Sequence, residues 1–206
     1  MKYKFWQDML QDPVYFKDTA EELYQAHKQN NDNDYTYLYN ISNLSVDSVA
    51  HLSFDHNHFL FQQSKSVLDK YPMVSTVLDT AKENKLSKAV PEDTDLLTVR
   101  LKDLFNLEHI VVNVLNQLPN NLISIHKDSN RQMSQKCSEK YLISKVKKYI
   151  VFLTPWTEGQ VFLIGRQAYT NWQPGDCITY PWFMPHATAN ASGKDRYLLF
   201  VSGIEN

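Results

Sequence analysis

Residues 109–128 read His109-Ile110-Val111-Val112-Asn113-Val114-Leu115-Asn116-Gln117-Leu118-Pro119-Asn120-Asn121-Leu122-Ile123-Ser124-Ile125-His126-Lys127-Asp128. The first seven are short and rich in β-branched side chains, which fit the pleated surface of a strand. Pro119-Asn120-Asn121 then supplies turn chemistry, since proline presets φ and asparagine tolerates left-handed backbone. From Leu122 to Asp128 the pattern is that of a half-buried strand. Two strands joined by a tight turn set the theme for everything downstream.

Tyr149–Leu153 reads as a third strand stopped by Thr154-Pro155, and Gly159–Ile164 as a fourth closed by Gly165. Pro174-Gly175-Asp176 turns the chain into Cys177–Tyr180, and Tyr197–Val201 is the last strand. Closely spaced strands with Pro and Gly turns predict an all-β barrel or sandwich. The polar residues 129–146 form an excursion between the second and third strands, a place where a lid is often found. Upstream the pattern is mixed. Residues 12–30 predict a helix, with Asp12 as N-cap, Pro13 at the first position and apolar residues at helical spacing. The run Gln29–Asp34 ends it, residues 72–85 predict a second helix, and aromatic-rich segments between them are candidate strands. Residues 1–108 therefore read as an α/β extension supporting a core at 109–206, the two forming one compact unit.

Composition narrows the class. At 206 residues with 43% hydrophobic content the chain can bury the core of a single domain. A net charge of -2 gives no electrostatic reason to expect nucleic acid or membrane as partner. Cys137 and Cys177 form neither a CxxC pair nor a disulfide framework, which suits a reducing compartment. The opening MKYKFWQDML lacks the apolar stretch of a signal peptide, and no apolar run approaches the roughly 18 residues of a membrane helix. The expected location is the cytoplasm.

The chemistry is carried by four residues. His126 and Asp128 lie two apart on an expected strand, so imidazole and carboxylate share a face and can converge on one ion. His186, after Pro185, heads a segment expected to cross the barrel near the strand ends and is the best third ligand. Two histidines and a carboxylate on one face of an octahedron leave three positions open, the arrangement of non-haem iron(II) oxygenases. Arg196 follows ten residues later on the last strand. A guanidinium inside a barrel suits bidentate recognition of a carboxylate, and a dicarboxylate ligand explains its burial.

Taken together, HKD at 126–128, GQVF at 159–162, QPGD at 173–176 and PHATANASGKDR at 185–196 resemble the double-stranded β-helix family of 2-oxoglutarate oxygenases. Gln117-Leu118-Pro119 before the metal strand is similar to the prolyl-hydroxylase-like and bacteriophage members. The resemblance covers roughly residues 109–203. An acid two residues after a histidine is common; the order of all four residues, with a PGD turn between, carries the specificity. It implies a jelly-roll, cupin-like barrel, mainly β with N-terminal helices packed on it, holding Fe(II) on His126, Asp128 and His186. It also implies 2-oxoglutarate as co-substrate on Arg196, with Tyr149, Asn113 and Asn190 as further contacts, and O2 as oxidant. The implied reaction couples oxidative decarboxylation to succinate and CO2 with hydroxylation of a small molecule or protein side chain. The carboxylate at Asp128 favours hydroxylation over halogenation. Arg131 and Trp182 are the candidate substrate contacts.

Two other readings stay open: a cupin-like metalloprotein that does not use 2-oxoglutarate, and a non-catalytic β-barrel binding module. His51, Asp55, His56 and His58 form a separate cluster. His56 and His58 would share a face of a strand and could bind a metal, but with no third ligand at credible spacing the segment reads as a polar strand or loop, or as part of the substrate mouth. Trp156, Trp172 and Trp182 fall at expected strand ends, where rim packing competes with substrate stacking.

Overall fold

The computed structural model describes residues 13–52, 54–56, 85–87, 95–128 and 145–206. In chain order these form α1 (Pro13–Asn30), β1 (Thr36–Asn40), β2 (Phe54–His56), β3 (Lys85–Ser87), α2 (Leu96–Leu104), β4 (Leu107–Gln117) and β5 (Asn121–His126). There follow β6 (Val146–Phe152), β7 (Gln160–Ile164), β8 (Gln167–Tyr169), β9 (Asp176–Pro181), β10 (His186–Asn190) and β11 (Arg196–Glu205). One sheet has the order β1-β9-β6-β11-β4-β3-β2 and the other β5-β10-β7-β8, with antiparallel pairings. From β4 onward the chain crosses between the sheets at each step except the β7–β8 hairpin. That alternation makes a jelly-roll, the double-stranded β-helix.

The burial of β4 shows why the strands are so apolar. Nearly all of its residues are covered, because both faces of the larger sheet are. Leu115, Ile150, Phe152, Ile178 and Leu198 point between the sheets and meet Ile123, Phe162 and Ile164 of the smaller one. Their strand neighbours Val112, Val114, Val151, Leu199 and Val201 point outward, under Leu97, Leu101 and Phe105 at α2. Asp95 caps α2 by accepting from the backbone amides of Leu97 and Thr98, at 2.9 and 3.1 Å. His51 bonds the same carboxylate at 2.7 Å.

The first 108 residues supply more than support. β1 pairs with β9 and β3 with β4, so both edges of the larger sheet are extended by this half of the chain. Asp34, fully buried, accepts from the Arg166 backbone amide at 2.6 Å and from its guanidinium at 2.9 and 3.1 Å. This locks the α1–β1 connection onto the β7–β8 turn. Gly165 at that turn has φ 56°, and a Cβ there would lie 2.4 Å from Asp34 Oδ2, so only glycine fits.

Some local expectations are revised and others fall outside the described residues. Residues 72–84 of the second expected helix lie outside the described residues, and Lys85 begins β3 instead. Helix α2 and strands β8 and β10 were not expected. Residues 129–144 of the excursion lie outside the described residues. Among the described residues, no helix is long and apolar enough to cross a membrane.

Candidate metal centre

Strands β5 and β10 place the two histidines. His126 pairs with His186, while Thr188 pairs with Ile123, so one residue of β10 spans two of β5. The extra residue is a β-bulge, and it changes the parity of β5. Ile123 is buried, Ile125 is turned out at 66% exposure, and His126, three residues from Ile123, lies against His186. Regular alternation from Ile123 would have turned Ile125 inward and His126 out. The strand stops at His126, and Asp128 reaches the same side from the coil that follows.

His126, Asp128 and His186 bring ligand atoms within 4.8 Å of one another. Asp128 Oδ1 lies 3.7 Å from Nε2 of each histidine. One ion at about 2.0–2.2 Å from each donor bridges that span with small side-chain shifts. His186 donates from Nδ1 to the Met184 carbonyl at 3.1 Å, which leaves the Nε2 lone pair facing the triad. Burial pushes its pKa down to about 4 against the pull of Asp128, so the imidazole is neutral and fit to ligate at neutral pH. Burial pushes the Asp128 carboxyl up, but Lys148 and the two imidazoles outweigh it and hold the group well below the usual carboxylate range.

Lys148 divides the carboxylate. Its ammonium donates to Asp128 Oδ2 at 3.0 Å, while Oδ1 is the oxygen nearest both histidines. One oxygen is thereby kept for a metal and the other held by the protein, an outer partner that orients a ligand. From outside, Lys127 is gripped by α1: it donates to Glu21 at 2.6 Å and lies over the Tyr24 ring at 5.2 Å. The helix thus clamps the residue between two ligands.

Arg196 is fully buried at the start of β11. It donates from NH1 to the Val161 carbonyl at 3.1 Å and from NH2 to Gln117 Oε1 and Thr188 Oγ1, and its Cζ lies 5.5 Å from the Trp172 ring centroid. Its Nε has no partner among the described residues. Asp176 is engaged by Asn40 and the Gln173 amide, and Asp195 approaches Asn116, so neither neutralises the guanidinium. Burial pulls its pKa down to about 9, which still leaves it charged at neutral pH. The result is a buried cation held by neutral oxygens. Thr188 is two residues along β10 from His186, which places the guanidinium about 7 Å of strand beyond the triad on the same wall.

Other expected contacts fall elsewhere. Asn113 is half-buried on the inner face of β4, paired with Phe200 and on the same side as Leu115 and Gln117. Tyr149 is not beside the triad: Lys148 takes the inward position, so Tyr149 points out and stacks on Phe105 at 4.1 Å. Asn190 also needs correction as a ligand contact. Its amide donates to the carbonyls of Gln117, Leu118 and Lys194 and its oxygen accepts from Ser192 and Gln160. With its hydrogen-bonding capacity in use, it locks the turn that delivers Arg196. Trp182 is buried edge-to-face with Phe183, whereas Trp172 is the tryptophan beside the guanidinium. Arg131 and His58 lie outside the described residues.

Lys148, Tyr180 and Thr188 were missed in the sequence, and Gln117 and Trp172 were noted there but not as partners of Arg196. Tyr180 is 3% exposed, lies beside His186 at 5.3 Å between ring centroids, and its hydroxyl has no partner among the described residues. Burial, and then Asp128, push its pKa far up, so it is a phenol and not a phenolate.

No family model and no curated protein matches the chain. Among solved structures it is similar to a prolyl-4-hydroxylase from Pseudomonas putida, with TM-score 0.41 and 11% identity over 78% of this chain and 97% of that one. It is similar to a predicted oxalate decarboxylase from Thermotoga maritima, with TM-score 0.37 and 11% identity over 59% and 80%. A third is a cupin-superfamily sugar phosphate isomerase from Silicibacter pomeroyi, with TM-score 0.36 and 14% identity over 63% of each chain. All three superpose loosely, and the barrel is identified by its own strand order.

The buried histidine gives the metal-free protein a pH signature. An unfolded imidazole takes its proton near pH 6.5, the folded one only near 4, so between those values the unfolded state holds more protons. Stability therefore rises with pH across that window. Urea denaturation of wild type and His186→Gln should give a rising midpoint from pH 4 to 6.5 in the first and a flatter one in the second.

Proposed function

We propose that this chain is an Fe(II)- and 2-oxoglutarate-dependent dioxygenase that hydroxylates a small molecule or a protein side chain. The observation that carries the reading is the pairing of two features on one wall of the barrel. A two-histidine, one-carboxylate cluster includes His186, and a buried arginine with no acidic partner among the described residues lies at Thr188, two residues further on. A dicarboxylate oxo-acid fits such a pair: one end chelates a metal and the other neutralises a buried cation.

In this reading His126 and His186 would hold the metal through Nε2 and Asp128 through Oδ1. Bound iron(II) supplies the oxidative chemistry that converts 2-oxoglutarate and O2 to succinate and CO2 while hydroxylating a C–H bond. Lys148 keeps Asp128 turned with one oxygen inward. Arg196, steadied by Gln117, Val161 and Trp172, orients the far carboxylate. Phe162 and Tyr180 pack around His186 and keep water from that side of the site.

The test is slow turnover in the absence of prime substrate. Iron(II)-loaded protein given 2-oxoglutarate labelled at C1 should release labelled CO2 in air, and His126→Ala should not. Full metal loading with no labelled CO2 from wild type would favour a metalloprotein that does not use this co-substrate.

A further inference from the structure

We infer that the Tyr180 hydroxyl is a ligand contact of the metal centre, donating a hydrogen bond to an oxygen of the oxo-acid bound there. The inference rests on the proposed function and extends it to a residue of the opposite sheet. Three observations on geometry support it. Tyr180 belongs to β9 and faces the barrel interior, cross-strand from Lys148, whose ammonium already reaches Asp128. Its ring packs 5.3 Å from that of His186, so ligand strand and phenol face each other across the same space. And the hydroxyl, at a residue only 3% exposed, is without a partner among the described residues, although buried hydroxyls are nearly always hydrogen-bonded.

The surroundings select the partner. Lys148 and the protonated Nδ1 edge of His186 already have acceptors, Asp128 and Met184. What the phenol can add is a neutral donor aimed at an anionic oxygen arriving with the ligand, in a site walled by Phe162 and Ile178. Arg196 holds one end of the oxo-acid; Tyr180 then steadies the metal-chelating end.

Tyr180→Phe separates this role from a structural one by sign. Removing an unpaired buried hydroxyl should leave the thermal midpoint of ligand-free protein unchanged or raise it, and should leave Fe(II) affinity unchanged. Anaerobic titration of the iron(II) form should show 2-oxoglutarate affinity falling roughly ten- to a hundredfold, with a shifted charge-transfer band. The same 2-oxoglutarate affinity and band as wild type would overturn the inference. So would a lowered midpoint in ligand-free protein, which would make the hydroxyl part of the scaffold. Absence of any band in wild type is a different result: it would remove the co-substrate reading itself, and this inference with it.

Discussion

Replacing Asp128 with alanine is expected to abolish stable Fe(II) binding, measured as iron retained per chain after anaerobic desalting. Asp128 is the one anionic donor of the cluster, and its Oδ1 is the atom equidistant from both imidazoles. Its loss also leaves the Lys148 ammonium, itself 10% exposed, without its counter-ion beside two histidines. The variant therefore turns an attractive site into a repulsive one for a cation. The drop should exceed the roughly 10- to 100-fold typical of removing an outer partner of a metal ligand. Lower stability of the metal-free variant should accompany it, because a buried ammonium would be stranded. Retention of iron at wild-type stoichiometry would place the metal elsewhere.

The second large effect has opposite signs in two measurements on one variant. Arg196→Met should weaken 2-oxoglutarate binding to the iron(II) form by about thirty- to a few thousandfold, the cost of truncating one side of a buried charged pair. Iron affinity should not change, since Arg196 touches no ligand of the cluster. Without ligand, the same variant should be as stable as wild type or more so in urea denaturation. The guanidinium is wholly buried among neutral acceptors, and an apolar residue of similar size removes that desolvation cost. A marked loss of stability without loss of 2-oxoglutarate affinity would make Arg196 a structural residue.

The barrel and the metal cluster were legible because their signals are local. β-branched runs bounded by Pro, Gly and Asn mark strands, and the ligand types stand out in order along the chain, although Asp128 lies in the coil after β5 and not on the strand. What escaped was parity. In β6, Tyr149 and Val151 are as apolar as Ile150 and Phe152, because both faces of that strand are buried. No alternation tells which set faces the barrel, so Tyr149 was placed inside and Lys148 overlooked. In β5 the bulge at Ser124–Ile125 broke the alternation that the sequence suggests, and His126 reaches the interior because of it. β10 escaped because His-Ala-Thr-Ala-Asn has little β-propensity; its pairing with β5 and β7 makes it a strand. Asn190 is polar for the sake of a turn, a demand set by carbonyls of Gln117 and Leu118 that no sequence window joins. Tyr180 could not be singled out among twelve tyrosines, since a missing hydrogen bond is visible only in three dimensions.

The central claim is that metal cluster and buried arginine serve one oxo-acid ligand. An anaerobic titration of the iron(II)-loaded chain with 2-oxoglutarate, followed by visible absorption, tests it most directly. A saturable charge-transfer band that vanishes in His126→Ala and needs far more co-substrate in Arg196→Met is the expected result. Bound iron with no band at saturating 2-oxoglutarate would contradict it.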